Sequence, residues 1–91
     1  MFVVHCKDKP GAARVRLDNR TAHLDFLKGY GAKVVMAGPV LTDDRQSMVG
    51  SVLVLDFVER AELDAFLAAD PYARAGLFEG ITVLPWRRVA L

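Results

Sequence analysis

Four runs rich in β-branched residues, two stretches with helical spacing and the placement of two prolines predict an α+β fold for this 91-residue chain. The order is strand, helix, strand, strand, helix, strand. This is the split βαβ (βαββαβ) arrangement of ferredoxin-like folds, with an antiparallel four-stranded sheet. In that topology the second and fourth strands are the edges. An inner strand cannot spare a backbone donor, and Pro39 and Pro85 both fall in the predicted edge strands.

Met1 to Lys7 reads as the first strand, with Phe2, Val4 and Cys6 on one face and Met1, Val3 and His5 on the other. Asp8-Lys9-Pro10-Gly11 is a charged turn in which Pro10 is placed to open a helix. From Ala12 to Tyr30, Leu17, Leu24 and Leu27, with Phe26 and Tyr30 beside them, follow a helical period, and Gly29 and Gly31 supply the stop. Asp18 or Asn19 could cap a second helical segment, so a kink or short turn is expected before the main helix of residues 20–30. Lys33 to Leu41, interrupted at Gly38-Pro39, and Met48 to Phe57 are the next two strands, joined by a hairpin over residues 42–46. Glu59 to Ala69 places Leu63, Phe66 and Leu67 on one helix face behind an acidic first half. Asp70 is suited to cap and Pro71 to start one short turn ending at Gly76, and Ile81 to Val89 is the last strand.

Two helices cover only one face of such a sheet. The third strand, however, is apolar on both, with Ser51, Leu53, Leu55 and Phe57 against Val52 and Val54. A homodimer through the open sheet face is therefore expected.

Composition bounds the rest. The chain is expected to be one domain, residues 1–91, since 53% hydrophobic and 25% charged residues leave no room for a long disordered arm. Twelve basic against eleven acidic residues make no electrostatic footprint for nucleic acid or an anionic membrane. No segment approaches the roughly 20 apolar residues of a membrane span. The start Met1-Phe2-Val3-Val4 lacks a secretory pattern and Cys6 has no disulfide partner, so a cytoplasmic protein is expected. The Asn19-Arg20-Thr21 triplet then has no glycosylation meaning. A small-molecule ligand is the expected partner.

Among residues that could carry chemistry, His23 lies one turn after Arg20 and one turn before Leu27, on a face bordering the apolar stripe. Histidine's near-neutral reference pKa suits a general base if a carboxylate orients its ring, although the plainer role is a hydrogen-bonding residue at the core edge. Asp70 has an equally plain role as a cap. Ser51 could donate into a pocket or simply begin a strand. Cys6 reads as a buried, inert thiol, and His5 as a residue of the opposite face. Arg87 and Arg88 point opposite ways, and Asp43-Asp44-Arg45 is a solvated loop. Two histidines without helical pairing, and no CxxC, give little support to a metal site. Gly29-Tyr30-Gly31 follows a helix and lacks a third glycine, so no dinucleotide cofactor is indicated.

Over almost its full length the chain resembles the YCII-related (YciI-like) family. The likeness rests on Arg20-Thr21-Ala22-His23-Leu24 with Leu27, on Ala37-Gly38-Pro39, on Gly50-Ser51, and on Asp70-Pro71-Tyr72 followed by Ala75-Gly76-Leu77-Phe78. The resemblance implies a ferredoxin-like subunit in a dimeric α/β-barrel type assembly, with an active site built around His23 and Asp70. Arg20 and Ser51 would line that site, with Tyr72 and Pro39 as walls. Some relatives in that family resemble small lyases or isomerases of aromatic-compound breakdown, a dehydrochlorinase type among them.

The expectation that follows is a cofactor-independent enzyme of lyase or isomerase type. In it His23 acts as base and then acid, Asp70 orients it, Ser51 hydrogen-bonds substrate and Arg20 holds negative charge. The alternative is a ligand-binding or accessory module that uses the same pocket without turnover. A third reading gives both residues a purely structural role, in which Asp70→Asn chiefly lowers Tm.

Overall fold

The structure is a computed structural model that describes all 91 residues. Its elements are β1 (Phe2–Asp8), α1 (Ala13–Tyr30), a 3₁₀ turn (Gly31–Lys33), β2 (Val34–Leu41), β3 (Met48–Leu55), α2 (Arg60–Ala69), α3 (Pro71–Arg74) and β4 (Phe78–Pro85). The strands form one antiparallel sheet in the order β2-β3-β1-β4. This is the ferredoxin-like βαββαβ topology. Pro39 and Pro85 lie in the two edge strands, where a missing N–H breaks no inner ladder.

Strand alternation sorts the sheet into two faces. Phe2, Val4 and Cys6 of β1 stand opposite Leu55, Leu53 and Ser51 of β3, and all six are buried beneath the helices. The core joins them to Leu27 of α1, Phe57, and Leu63 and Phe66 of α2. Gly50 lets β1 and β3 close up, since a Cβ there would meet the Cys6 carbonyl oxygen at 2.5 Å. The other face carries Val3, His5, Met36, Val52, Val54 and Leu84, with no helix over it; Met36, Val52 and Leu84 are exposed. No helix is long and apolar enough to cross a membrane.

Several local expectations are corrected. Pro10 does not open α1; it sits in the turn with Gly11, whose φ of 71° needs glycine, and the helix begins at Ala13. No kink occurs near residue 19. Asp18 pairs with Arg14 along the exposed helix surface, and the Asn19 amide donates to the Val15 carbonyl, so neither caps a new segment. The helix stops at Gly31, with φ 56°, while Gly29 lies within it. Leu17 is 65% exposed. The buried residues of α1 are Arg16, His23 and Leu27, so its inner stripe is largely polar. Finally, β4 starts at Phe78 rather than Ile81 and ends at Pro85, because a register shift at Lys7/Asp8 lets Phe78 pair with Asp8 before the regular ladder begins.

The expected cap at Asp70 and the acidic start of the second long helix agree with the structure. Glu59 and Glu62 form a reciprocal capping box at the start of α2. Asp70 ends α2 and caps α3, accepting the Tyr72 backbone N–H at 2.9 Å, with Pro71 in the first helical position.

Candidate active site

The polar stripe of α1 faces a cavity of about 150 Å³ between that helix, β2, β3 and α3. Residues four and seven apart on a helix share a face, and this places Arg16, Arg20 and His23 side by side. The sheet contributes Ser51 and Pro39, opposite each other on β3 and β2, and α3 contributes Tyr72.

His23 is held from two sides. Its Nδ1 lies 2.8 Å from Asp70 Oδ1, with both side chains buried, and its ring stacks on Tyr72 at 3.9 Å between centroids and 14° between planes. A carboxylate can only accept, so Nδ1 donates and the neutral ring keeps Nε2 as its acceptor. The same Asp70 oxygen accepts the Tyr72 N–H. One carboxylate oxygen therefore fixes both the imidazole and the turn that carries the ring stacked against it.

Arg16 forms a second buried ion pair. Its Nε and Nη2 donate to the two oxygens of Asp8 at 2.8 Å each, Nη2 also donates to Ser51 Oγ at 3.0 Å, and its guanidinium carbon lies 4.7 Å from the Tyr72 ring centre. Burial alone would disfavour the charge of Arg16, but the hydrogen bonds and charge of Asp8 outweigh it and raise its pKa above the ordinary value. Burial also raises the Tyr72 phenol, against the opposing pull of Arg16 and Arg20. Arg20 differs from Arg16. Its one side-chain hydrogen bond goes to the Met48 sulfur at 3.3 Å and no carboxylate pairs with it, so its charge remains available at the cavity.

The residues expected from the sequence thus meet in one place. His23, Arg20, Ser51, Pro39 and Tyr72 line the cavity and Asp70 stands behind His23. Sequence reasoning missed Arg16 and Asp8. The available signal was spacing, since Arg16 precedes Arg20 by four residues and His23 by seven. His5 lies on the opposite sheet face and is exposed. Cys6 is fully buried, and burial, followed by the negative charge of Asp70, pushes its thiol pKa to about 12. No group of three or more metal-ligating side chains is gathered anywhere in the chain.

Comparison with known proteins agrees with this architecture. The YCII-related domain model matches residues 1–87. Protein YciI of Escherichia coli is 30% identical, over 98% of both chains. Among solved structures, 5-chloro-2-hydroxyhydroquinone dehydrochlorinase (TftG) of Burkholderia phenoliruptrix, in complex with 2,5-dihydroxybenzoquinone, is 36% identical with a TM-score of 0.89, covering 97% of this chain and 94% of its own. A dimeric ferredoxin-like protein of unknown function from a Jannaschia species shares the fold, at 18% identity and a TM-score of 0.50, over 97% of this chain and all of its own.

Proposed function

The chain belongs to the YCII-related family, and from that premise we propose that it is a cofactor-independent enzyme of lyase or isomerase type acting on a small hydroxylated or carbonyl-bearing ring compound. The observation that carries the proposal is the buried 2.8 Å contact of His23 Nδ1 with Asp70, which leaves the other ring nitrogen to a cavity lined by an unpaired guanidinium. A cavity near 150 Å³ is roughly the size that holds one benzene ring.

His23 Nε2 takes a proton from the substrate. The electron pair left behind moves onto a conjugated oxygen, where the charge of Arg20 and the Ser51 hydroxyl stabilise it. The imidazolium so formed is balanced by Asp70 and rests on the Tyr72 ring, a favourable site for a cation. Return of the proton to another atom completes an isomerisation; alternatively, the pair expels a leaving group and completes an elimination. Pro39 and Tyr72 confine the ring. The active form is a homodimer closed through the open sheet faces. The exposed Met36, Val52 and Leu84 support this, as does the dimeric state of the Jannaschia protein.

The test is turnover of hydroxylated and halogenated benzene derivatives, beginning with the substrate named for the Burkholderia relative and followed by absorbance. His23→Ala should lower the rate by about 10²- to 10⁴-fold. Turnover within a few-fold of wild type would remove His23 from the chemistry, and return of every compound unchanged would leave a binding module.

A further inference from the structure

Ser51 and Arg16 together specify more than a polar wall. The Ser51 hydroxyl has one hydrogen and two lone pairs. In this structure its one hydrogen bond is accepted, from Arg16 Nη2 at 3.0 Å, and no protein acceptor stands opposite its hydrogen. Ser51 is 4% exposed and lines the cavity, so the cavity is where that hydrogen finds a partner. A serine of this kind ordinarily serves as donor or acceptor by rotation. Here the cation at its back holds one of the two lone pairs and keeps the hydrogen on the cavity side, because turning the hydrogen toward Arg16 would set a donor against a donor.

Arg16 itself has no freedom to release Ser51. Both oxygens of Asp8 hold it, it is 3% exposed, and the Tyr72 ring lies against its guanidinium carbon at 4.7 Å. We propose that Asp8 and Arg16 are positioning residues that aim the Ser51 hydrogen at the ligand. The ligand atom beside Ser51 is then an acceptor oxygen, a carbonyl that becomes an enolate or a phenolate, and a group with no lone pair at that position, such as an ammonium, is disfavoured because it leaves the Ser51 hydrogen without an acceptor. The inference rests on the proposed substrate site and deepens it. Arg20 supplies an unpaired charge, while Arg16, already neutralised by Asp8, supplies orientation.

Binding of 2,5-dihydroxybenzoquinone, a coloured compound whose two carbonyl oxygens are acceptors, tests this. Affinity and the position of the visible absorption band are measured for wild type, Ser51→Ala, Arg16→Lys and the double variant. Ser51→Ala should weaken binding about tenfold and move the band of the bound quinone. Arg16→Lys should do the same in the wild-type background but change affinity less than twofold once Ser51 is alanine, since its effect passes through that hydroxyl. A purely structural role for Arg16 would multiply the two losses and leave the band where it is, and either result overturns the proposal. If Arg16→Lys does not fold, Ser51→Ala alone decides, an unmoved band with unchanged affinity refuting it. Wild type that binds the quinone while Ser51→Ala binds it equally well defeats this inference alone. Wild type that binds no quinone defeats the proposed substrate site as well.

Discussion

Replacing Asp70 by alanine removes the oxygen that accepts both the Tyr72 backbone N–H and the His23 ring N–H, at 2.9 and 2.8 Å. Losing an N-cap costs about 0.5–2 kcal/mol, and leaving a buried donor without a partner about 1–3 kcal/mol. D70A should therefore lie about 1.5 to 5 kcal/mol below wild type. At roughly 4 to 8 °C per kcal/mol for a domain of this size, Tm falls by roughly 6 °C or more. Asp70→Asn keeps an acceptor oxygen in the same place, and asparagine caps as well as aspartate, so D70N should stay within about 1 kcal/mol of wild type. What asparagine cannot supply is the negative charge beside an imidazolium. The pair of variants thus separates two roles of one side chain, with stability lost in D70A only and turnover lost in both. Thermal melts followed by circular dichroism give the first readout and the absorbance assay gives the second. Equal Tm losses for the two variants would refute the division into cap and charge. A D70A protein as stable as wild type would show that neither hydrogen bond contributes.

Asp8→Ala leaves the Arg16 guanidinium buried and unpaired, which should cost about 3–5 kcal/mol in urea unfolding, whereas the joint change Asp8→Leu with Arg16→Met should recover most of it. The Cys6 thiol, pushed from 9.0 to about 12 by burial and then by Asp70, holds its proton longer when folded, so its stabilising contribution is present below pH 9 and lost as pH rises toward 12. Tm should fall over that window, less steeply in Cys6→Ala, and a thiol reagent at pH 8 should modify Cys6 only after unfolding; rapid labelling of the native protein would contradict this. Analytical ultracentrifugation at micromolar concentration should find a dimer, and a lone 10.0 kDa species would refute assembly through the open sheet.

Much of the architecture was legible because few arrangements satisfy the chain's constraints. Two prolines identified the edge strands, and the Asp70-Pro71 pair announced a cap that the structure reproduces. The misassigned face of α1 has one physical cause. A leucine in a helix is presumed to face inward and an arginine outward, yet Leu17 is exposed and Arg16 buried, because α1 turns its polar stripe toward the cavity. Arg16 owes its burial to Asp8, eight residues earlier at the end of β1, and that pairing exists only once strand and helix are folded together. The start of β4 was hidden for a related reason, since Phe78 joins the sheet across a register shift that no alternation pattern records. His23 and Asp70, 47 positions apart, were associated through family resemblance rather than through any local signal.

Asp70 closes α2 and opens α3, and this sharing constrains chain length. Each residue added to a helix turns everything beyond it by about 100° and advances it 1.5 Å. One extra residue between Glu59 and Asp70 would swing the carboxylate away from the imidazole, although every side chain of both helices remained intact. The ten residues of α2 act as a ruler as well as a wall. Extra length can be accommodated in the loop between β2 and β3, on the exposed Asp43-Asp44-Arg45 stretch, where nothing downstream depends on rotational phase.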